Sequence, residues 1–283
     1  MQDASRHGKA PESHGDGDGM AARLDYGWRL FATGMSFIVF GACGVLFSVV
    51  IFPLACLWPH RASRQRAVTT GIHGFFRVLV AVLRHMGVMK LDVSGAALLR
   101  SRLPAIVVAN HPTYLDVMVL LALTPSACCV VKSAHWGNPC FWGIVRAARY
   151  VSNADTTRFV ERCAQQIAAG YTMIIFPEGS RSPAPDRLHA FSRGFAYIAL
   201  EAGAPIVPVL MHCDPPAFTK AMRWYHLPER AFRITVSVLD PVGVERLASR
   251  GTPQTLAARH VTGAIEAHMT QHLYEHGFLK TGN

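Results

Sequence analysis

Apolar and polar positions fall into three patterns along this 283-residue chain. From Leu30 to Trp58, 29 consecutive residues carry no Asp, Glu, Lys or Arg. A bilayer is crossed by about 20 apolar residues, so this run is long enough with several to spare. Trp28/Arg29 and Trp58/His60/Arg61 bracket it, as interfacial anchors would. Pro53 predicts a kink or an early end. One spanning helix and a helical hairpin held in one leaflet are both open. A buried core helix is disfavoured, since such helices seldom run this far without a charge. Next, between Val68 and Lys90, apolar residues recur with helical spacing, and Arg77 and Arg84 share another face. This amphipathic helix either lies among lipid headgroups or packs on a domain with its arginines solvated.

After Lys90 the pattern alternates. Short β-rich runs at Lys90–Val93, Ile106–Ala109, Cys128–Val131, Tyr150–Ser152, Met173–Phe176, Ile206–Leu210 and Phe232–Leu239 are separated, for the most part, by helical stretches at 113–123, 138–148, 155–169 and 192–202. That order predicts an α/β fold with a mainly parallel central sheet flanked by helices, whose ligands gather at the carboxyl ends of the strands. The expected organisation is a disordered polar tail over 1–25, a membrane-embedded helical region over 26–89 (hydrophobic helix 30–58, amphipathic helix 68–89) and the α/β domain over 90–283. The tail lacks the apolar core and cleavage site of a secretory signal.

Charge sharpens this picture. The formal net charge is +10, while 51% of residues are hydrophobic and only 16% charged. From His60 to Arg102 eight Lys/Arg face a single acid, Asp92. An anionic membrane surface or anionic substrate fits better than nucleic acid, for which no basic tail, zinc spacing or aromatic RNA-binding motif is present. The arginines that follow the first apolar run weakly favour a cytoplasmic carboxy-terminal side. Seven cysteines, odd in number and without a C-x-x-C pair, read as reduced core residues.

Three stretches carry candidate chemistry. In Val107–Asp116 a buried strand runs into Asn110-His111-Pro112, where Asn110 is placed to cap a helix and Pro112 to sit in its first turn. A turn there lets His111 meet Asp116, and a carboxylate beside an imidazole makes a general base for a hydroxyl. The alternative is a plain capping loop. Thr172–Phe176 runs into Pro177-Glu178-Gly179-Ser180-Arg181-Ser182, in which Gly179 permits a tight turn and Arg181 suits a phosphate. Glu178 either accepts from a substrate hydroxyl or orients Arg181; a surface turn with a solvated ion pair is the bland alternative. The third stretch, Pro205-Ile206-Val207-Pro208, is a strand with two prolines, expected at an edge or distorted and able to line an apolar pocket. His268, His272 and His276 recur every four residues, a pattern that admits a metal site but more simply a solvated helix face.

In that order, His-x4-Asp at His111/Asp116, Phe-Pro-Glu-Gly-Ser-Arg-Ser at 176–182 and Pro-Ile-Val-Pro at 205–208 resemble the glycerolipid acyltransferase family, best known for 1-acylglycerol-3-phosphate acyltransferases. The resemblance covers roughly residues 90–215. It implies transfer of a fatty acyl group from acyl-CoA or acyl carrier protein, as co-substrate, to a lysophospholipid hydroxyl. No metal or resident cofactor is implied. Membrane lipids are the expected partners, and the implied location is a membrane, the bacterial inner membrane with the catalytic domain facing the cytoplasm. On this resemblance His111 is the base, Asp116 orients it, Glu178, Gly179, Ser180 and Arg181 hold the acceptor, and Pro205 shapes the pocket wall. Ser180 stands where the family usually has Thr, and Thr113 where it often has Ser. Asn153 occupies the place of a phosphate-binding arginine. Arg149 or Arg158 then compensates, or the acceptor is a lyso-aminolipid or another lipid alcohol. Lys132 is a further candidate anion contact, and Trp136, Phe141 and Trp142 are candidates for the acyl pocket. A catalytically silent lipid-binding homologue and a metal-dependent hydrolase are the competing readings.

Overall fold

A computed structural model describes residues 15–101, 104–131, 142–152, 158–182, 188–248 and 251–279. Its first helix, α1 (Gly15–Leu46), begins inside the segment expected to be a disordered tail. A π-turn over Phe47–Ile51 and the short α2 (Phe52–Cys56) continue it. Pro53 lacks an N–H and crowds the preceding turn, which widens in response: the Phe52 N–H reaches the Phe47 carbonyl five residues back. The helix passes through Pro53 and ends at Cys56.

One face of this helix packs on the rest of the chain through Ala32, Thr33 and Ser48; the other is bare, with Phe31 58% and Ile38 64% exposed. After a short turn α3 (Arg61–His85) folds back along it. α3 buries Val68, Ile72, Phe76, Leu79 and Leu83, and its Arg77 and Arg84 are exposed. The packed alternative therefore holds for its apolar face. A side-chain amide fixes its start: Gln65 Nε2 donates to the Ala148 carbonyl at 3.2 Å and to Gln166 Oε1 at 2.6 Å.

Next come β1 (Met89–Ser94), α4 (Ala96–Arg100), β2 (Ile106–Ala109), α5 (Asp116–Leu123), β3 (Ala127–Val131), α6 (Trp142–Ala147) and β4 (Val151–Ser152). They are followed by α7 (Phe159–Ala168), β5 (Thr172–Ile175), α8 (Gly194–Ala202), β6 (Ile206–Asp214), β7 (Phe232–Val238) and α9 (Gln254–Glu275). The seven strands form one sheet in the order β1-β7-β6-β2-β5-β3-β4. Every neighbouring pair is parallel except β6–β7. β2 lies in the middle and all four of its residues are fully buried. α3 packs across α5 on one side, while α7, α8 and α9 pack together.

The two-proline strand is not at an edge. β6 is third in the sheet, parallel to β2 and antiparallel to β7. Pro205 precedes the ladder and needs only its carbonyl, which accepts from Ile106 at 2.9 Å. Pro208 sits where pairing slips: Val209 opposes Val238, yet Ile206 opposes Val242, one residue out of register. At that slip no donor is required of Pro208, whose carbonyl still takes the Leu239 N–H.

Candidate active site

The loops after β2 and β5 meet at the carboxyl end of the sheet, as parallel strands dictate. Asn110 does not cap a helix. Its Nδ2 donates to the Met211 carbonyl at 2.8 Å and its Oδ1 accepts the Met211 N–H at 2.7 Å, so the side chain extends the sheet and pins the loop to β6. Pro112 accordingly stays outside the helix, and α5 starts at Asp116.

Between them the chain turns tightly. His111 Nδ1 lies 2.9 Å from Asp116 Oδ2. That same oxygen accepts the Thr113 N–H at 2.7 Å, and Oδ1 accepts the Thr113 hydroxyl at 2.6 Å. Asp116 is fully buried, while the His111 side chain is 16% exposed and stacks on Phe176 at 4.3 Å between centroids. A carboxylate can only accept, so Nδ1 carries the hydrogen and Nε2 faces outward as the basic nitrogen. Thr113 is thus part of the arrangement. Its Thr-x-x-Asp spacing, a known side-chain-to-backbone motif, is the signal that reveals it.

Glu178 is occupied by protein. Its Oε1 accepts the His111 N–H at 3.0 Å and the Ser182 hydroxyl at 2.9 Å; Oε2 accepts the His189 N–H at 3.0 Å. Ser182 returns a bond to the His111 carbonyl at 2.8 Å. The glutamate makes no bond to Arg181; it ties the glycine turn to the histidine loop. Gly179 adopts φ +65°, which permits the turn. Ser180 bonds locally to the Arg181 carbonyl. Arg181 Nη1 donates to the carbonyls of Phe218 and Thr219, both at 3.1 Å, and its guanidinium lies 5.8 Å from the Tyr114 ring centroid. Hence Arg181 stands beside the His111 loop, on which Tyr114 sits.

Other candidates fall elsewhere. Pro205 aligns with the start of β2, six residues before His111, or about 20 Å along the strand direction. It cannot line a pocket at His111; Met211 and Cys213, at the other end of β6, are the residues of that strand near the site. Arg149 precedes β4 at the amino end of the strands and cannot compensate for Asn153 there. Arg158 opens α7 beyond the carboxyl end of β4, on the catalytic side. Asn153, Lys132, Trp136 and Phe141 lie outside the described residues, and Trp142 packs edge-on against Phe52 at 4.9 Å. An apolar crevice lined by Phe37 and Phe40 of α1, Leu79 of α3, Tyr114, Met118 and Phe218 leads from the His111 loop toward the hydrophobic helix.

Burial pushes the Cys213 thiol up to about 12, with the Asp116 and Asp214 charges adding to the effect and a backbone hydrogen bond opposing it, so no thiolate competes at the site. On α9 the His268 and His272 rings are 4.7 Å apart, and His272 pairs with Glu275. Among the described residues no cluster of three His, Cys, Asp or Glu is disposed to hold a metal.

Residues 90–212 match the Acyltransferase family model. The chain is 24% identical over 232 residues to human 1-acyl-sn-glycerol-3-phosphate acyltransferase beta, covering 77% of this chain and 78% of that one. It is 26% identical to the mouse alpha enzyme, covering 62% and 63%, and 30% identical to a chloroplastic Brassica napus 1-acyl-sn-glycerol-3-phosphate acyltransferase, covering 49% and 42%. The crystal structure of the Thermotoga maritima 1-acyl-sn-glycerophosphate acyltransferase PlsC shares the fold, with a TM-score of 0.64 at 21% identity over 90% of this chain and 97% of that one. Over residues 90–212, which hold the three ordered motifs, the chain carries an acyltransferase domain similar to that of the 1-acyl-sn-glycerol-3-phosphate acyltransferases.

Proposed function

We propose that the protein transfers a fatty acyl group from an acyl thioester to the free hydroxyl of a lysophospholipid, with 1-acylglycerol-3-phosphate as acceptor and phosphatidic acid as product. The observation that carries this reading is the buried Asp116 bound to His111 Nδ1, with Arg181 alongside. His111 Nε2 takes the acceptor's hydroxyl proton as the oxygen attacks the thioester carbonyl. The tetrahedral intermediate then expels the thiolate, which recovers that proton from His111. Asp116 stays ionised throughout and supports the imidazolium. Arg181 takes the acceptor phosphate, its Nη1 steadied by two carbonyls and its fork suited to a second, anionic partner. The apolar crevice beside Tyr114, about 20 Å³ as it stands, lies between this site and α1 and would have to widen to admit an acyl chain.

The helical region supports a one-leaflet reading. α1 lies against the domain along much of its length, from Arg29 to Ser48, which a helix crossing away from the domain would not do. Its bare apolar stripe then faces lipid, and the catalytic end opens at the surface of the membrane, for which we take the cytoplasmic face of a bacterial inner membrane.

A second acceptor class comes from Asn153: Arg149 lies at the wrong end of the sheet, so a phosphate there would fall to Arg158, and without it the acceptor is a lyso-aminolipid or another lipid alcohol. Purified protein in detergent, given acyl-CoA or acyl carrier protein thioesters and a panel of lysolipids, separates the two by mass spectrometry. Thiol release dependent on lysophosphatidic acid supports the first reading; release only with lyso-aminolipids moves the assignment to the second. His111→Ala should lower the rate by roughly 10²–10⁴-fold while the protein remains folded. An active variant refutes the mechanism.

A further inference from the structure

Between β6 and β7 the chain runs from Pro215 to Ala231 without helix or strand. A connection of this length inside a compact domain usually carries a function of its own. It is fastened at both ends. Near its start Phe218, in a left-handed backbone at φ +53°, offers its carbonyl to the Tyr114 N–H at 3.2 Å and to Arg181 at 3.1 Å. Near its finish, the guanidinium of Arg29, a residue only 1% exposed, donates to the carbonyls of Pro228 and Glu229.

The stretch between these fastenings faces outward. Lys220, Arg223, Trp224, Tyr225 and His226 are all exposed, and no acid occurs from Phe218 to Pro228. Trp224 is 51% exposed, yet its ring packs 5.9 Å from that of Phe37 and beside Gly34, both on α1. The strap therefore lies directly alongside the bare apolar stripe of that helix, where Phe31 and Ile38 protrude. Tryptophan and tyrosine interleaved with lysine and arginine, next to an apolar surface, match the layered chemistry of a bilayer interface: rings at the boundary, cations among phosphates.

We propose that the outward face of residues 219–227 docks on the anionic headgroup layer of the membrane, with Lys220 and Arg223 on lipid phosphates and Trp224 and Tyr225 at the boundary beneath them. This rests on the reading of α1 as lipid-facing. Because the strap begins at the carbonyls that hold Arg181, docking sets the height of the catalytic loops above the lipid surface.

The test is hydrogen exchange on the full chain in nanodiscs of phosphatidylcholine alone and of phosphatidylcholine with phosphatidylglycerol. Amides of 219–227 should exchange roughly tenfold more slowly in the anionic discs. Lys220→Glu/Arg223→Glu should abolish that slowing, since two basic residues near a charged surface are worth roughly 30-fold in binding. Equal exchange in both discs, or slowing that survives the double substitution, overturns the proposal. Co-sedimentation with neutral phosphatidylcholine vesicles isolates the reading of α1: a chain that stays in solution there overturns that reading and this proposal with it. A chain that sediments but shows an indifferent strap overturns this proposal alone. Neither readout depends on acyl transfer.

Discussion

Replacing Thr113 by valine removes one donor from the Asp116 carboxylate with little change in shape. Thr113 is 1% exposed, its hydroxyl donates to Asp116 Oδ1 at 2.6 Å, and its own Oγ1 accepts the Leu115 N–H at 3.2 Å. A hydrogen bond to a charged group contributes about 1.5–3 kcal/mol, and the orphaned Leu115 N–H costs a further 1–3 kcal/mol, approximately. The second loss falls on stability. The first falls on the carboxylate that aligns His111, and if felt in full at the transition state it lowers kcat roughly 10- to 150-fold. Substrate affinity should hardly move, because Thr113 has no exposed surface for a substrate to touch. Thr113→Ser keeps the hydroxyl and should restore the rate. The assay is thiol release with lysophosphatidic acid in detergent, with thermal unfolding measured alongside. A folded Thr113→Val protein with kcat within about twofold of the parent refutes the orienting role.

Glu178→Gln sets an amide N–H₂ against one of three donors now satisfied by the carboxylate; kcat should drop about 10- to 100-fold with acceptor KM nearly constant, and a raised KM with intact kcat would instead assign Glu178 to the substrate. In Gly143→Ala the new Cβ would sit 2.4 Å from Ser48 Cα, so α6 and the π-turn must part; thermal unfolding in detergent should register a loss of about 1–3 kcal/mol, and an unchanged melting temperature would mean the two are not packed together. Burial pushes Cys129, Cys163 and Cys213 up to about 12 from an ordinary 9.0. Unfolded thiols ionise first, so this contribution to stability is complete below about pH 9 and is lost as pH rises toward 12; urea midpoints should fall across that window, and rapid alkylation of native Cys213 at pH 8, read by mass spectrometry, would contradict its burial.

Much of the fold was legible because strand and helix periods are local properties. Ile106–Ala109 reads as a buried strand from four apolar residues, and it is one. The pairing of His111 with Asp116 was also within reach, since five residues and one turn bring them together. What escaped a reading along the chain depends on distant partners. Asn110 has the local marks of a helix cap, but Met211, 101 residues on, offers both an N–H and a carbonyl and wins the side chain. Pro205 and Pro208 carry the signature of an edge strand, yet a one-residue slip against Val242 lets β6 sit inside the sheet. Glu178 beside Arg181 suggests a local pair; in space the carboxylate is taken by His111, Ser182 and His189, and the arginine by carbonyls 37 and 38 residues away. The amphipathic period of α3 could not by itself choose between lipid and protein, because both reward the same apolar face.

One element of the sheet bears on how the chain is made. Among the described residues β1 is an edge strand whose neighbour is β7, and 141 residues separate Asp92 from Arg233, to which its side chain bonds. During synthesis β1 and the helices before it emerge well before that partner exists. The sheet is thus closed last at the edge that is made first, so in a chain truncated before Phe232 the first strand would still wait for a mate.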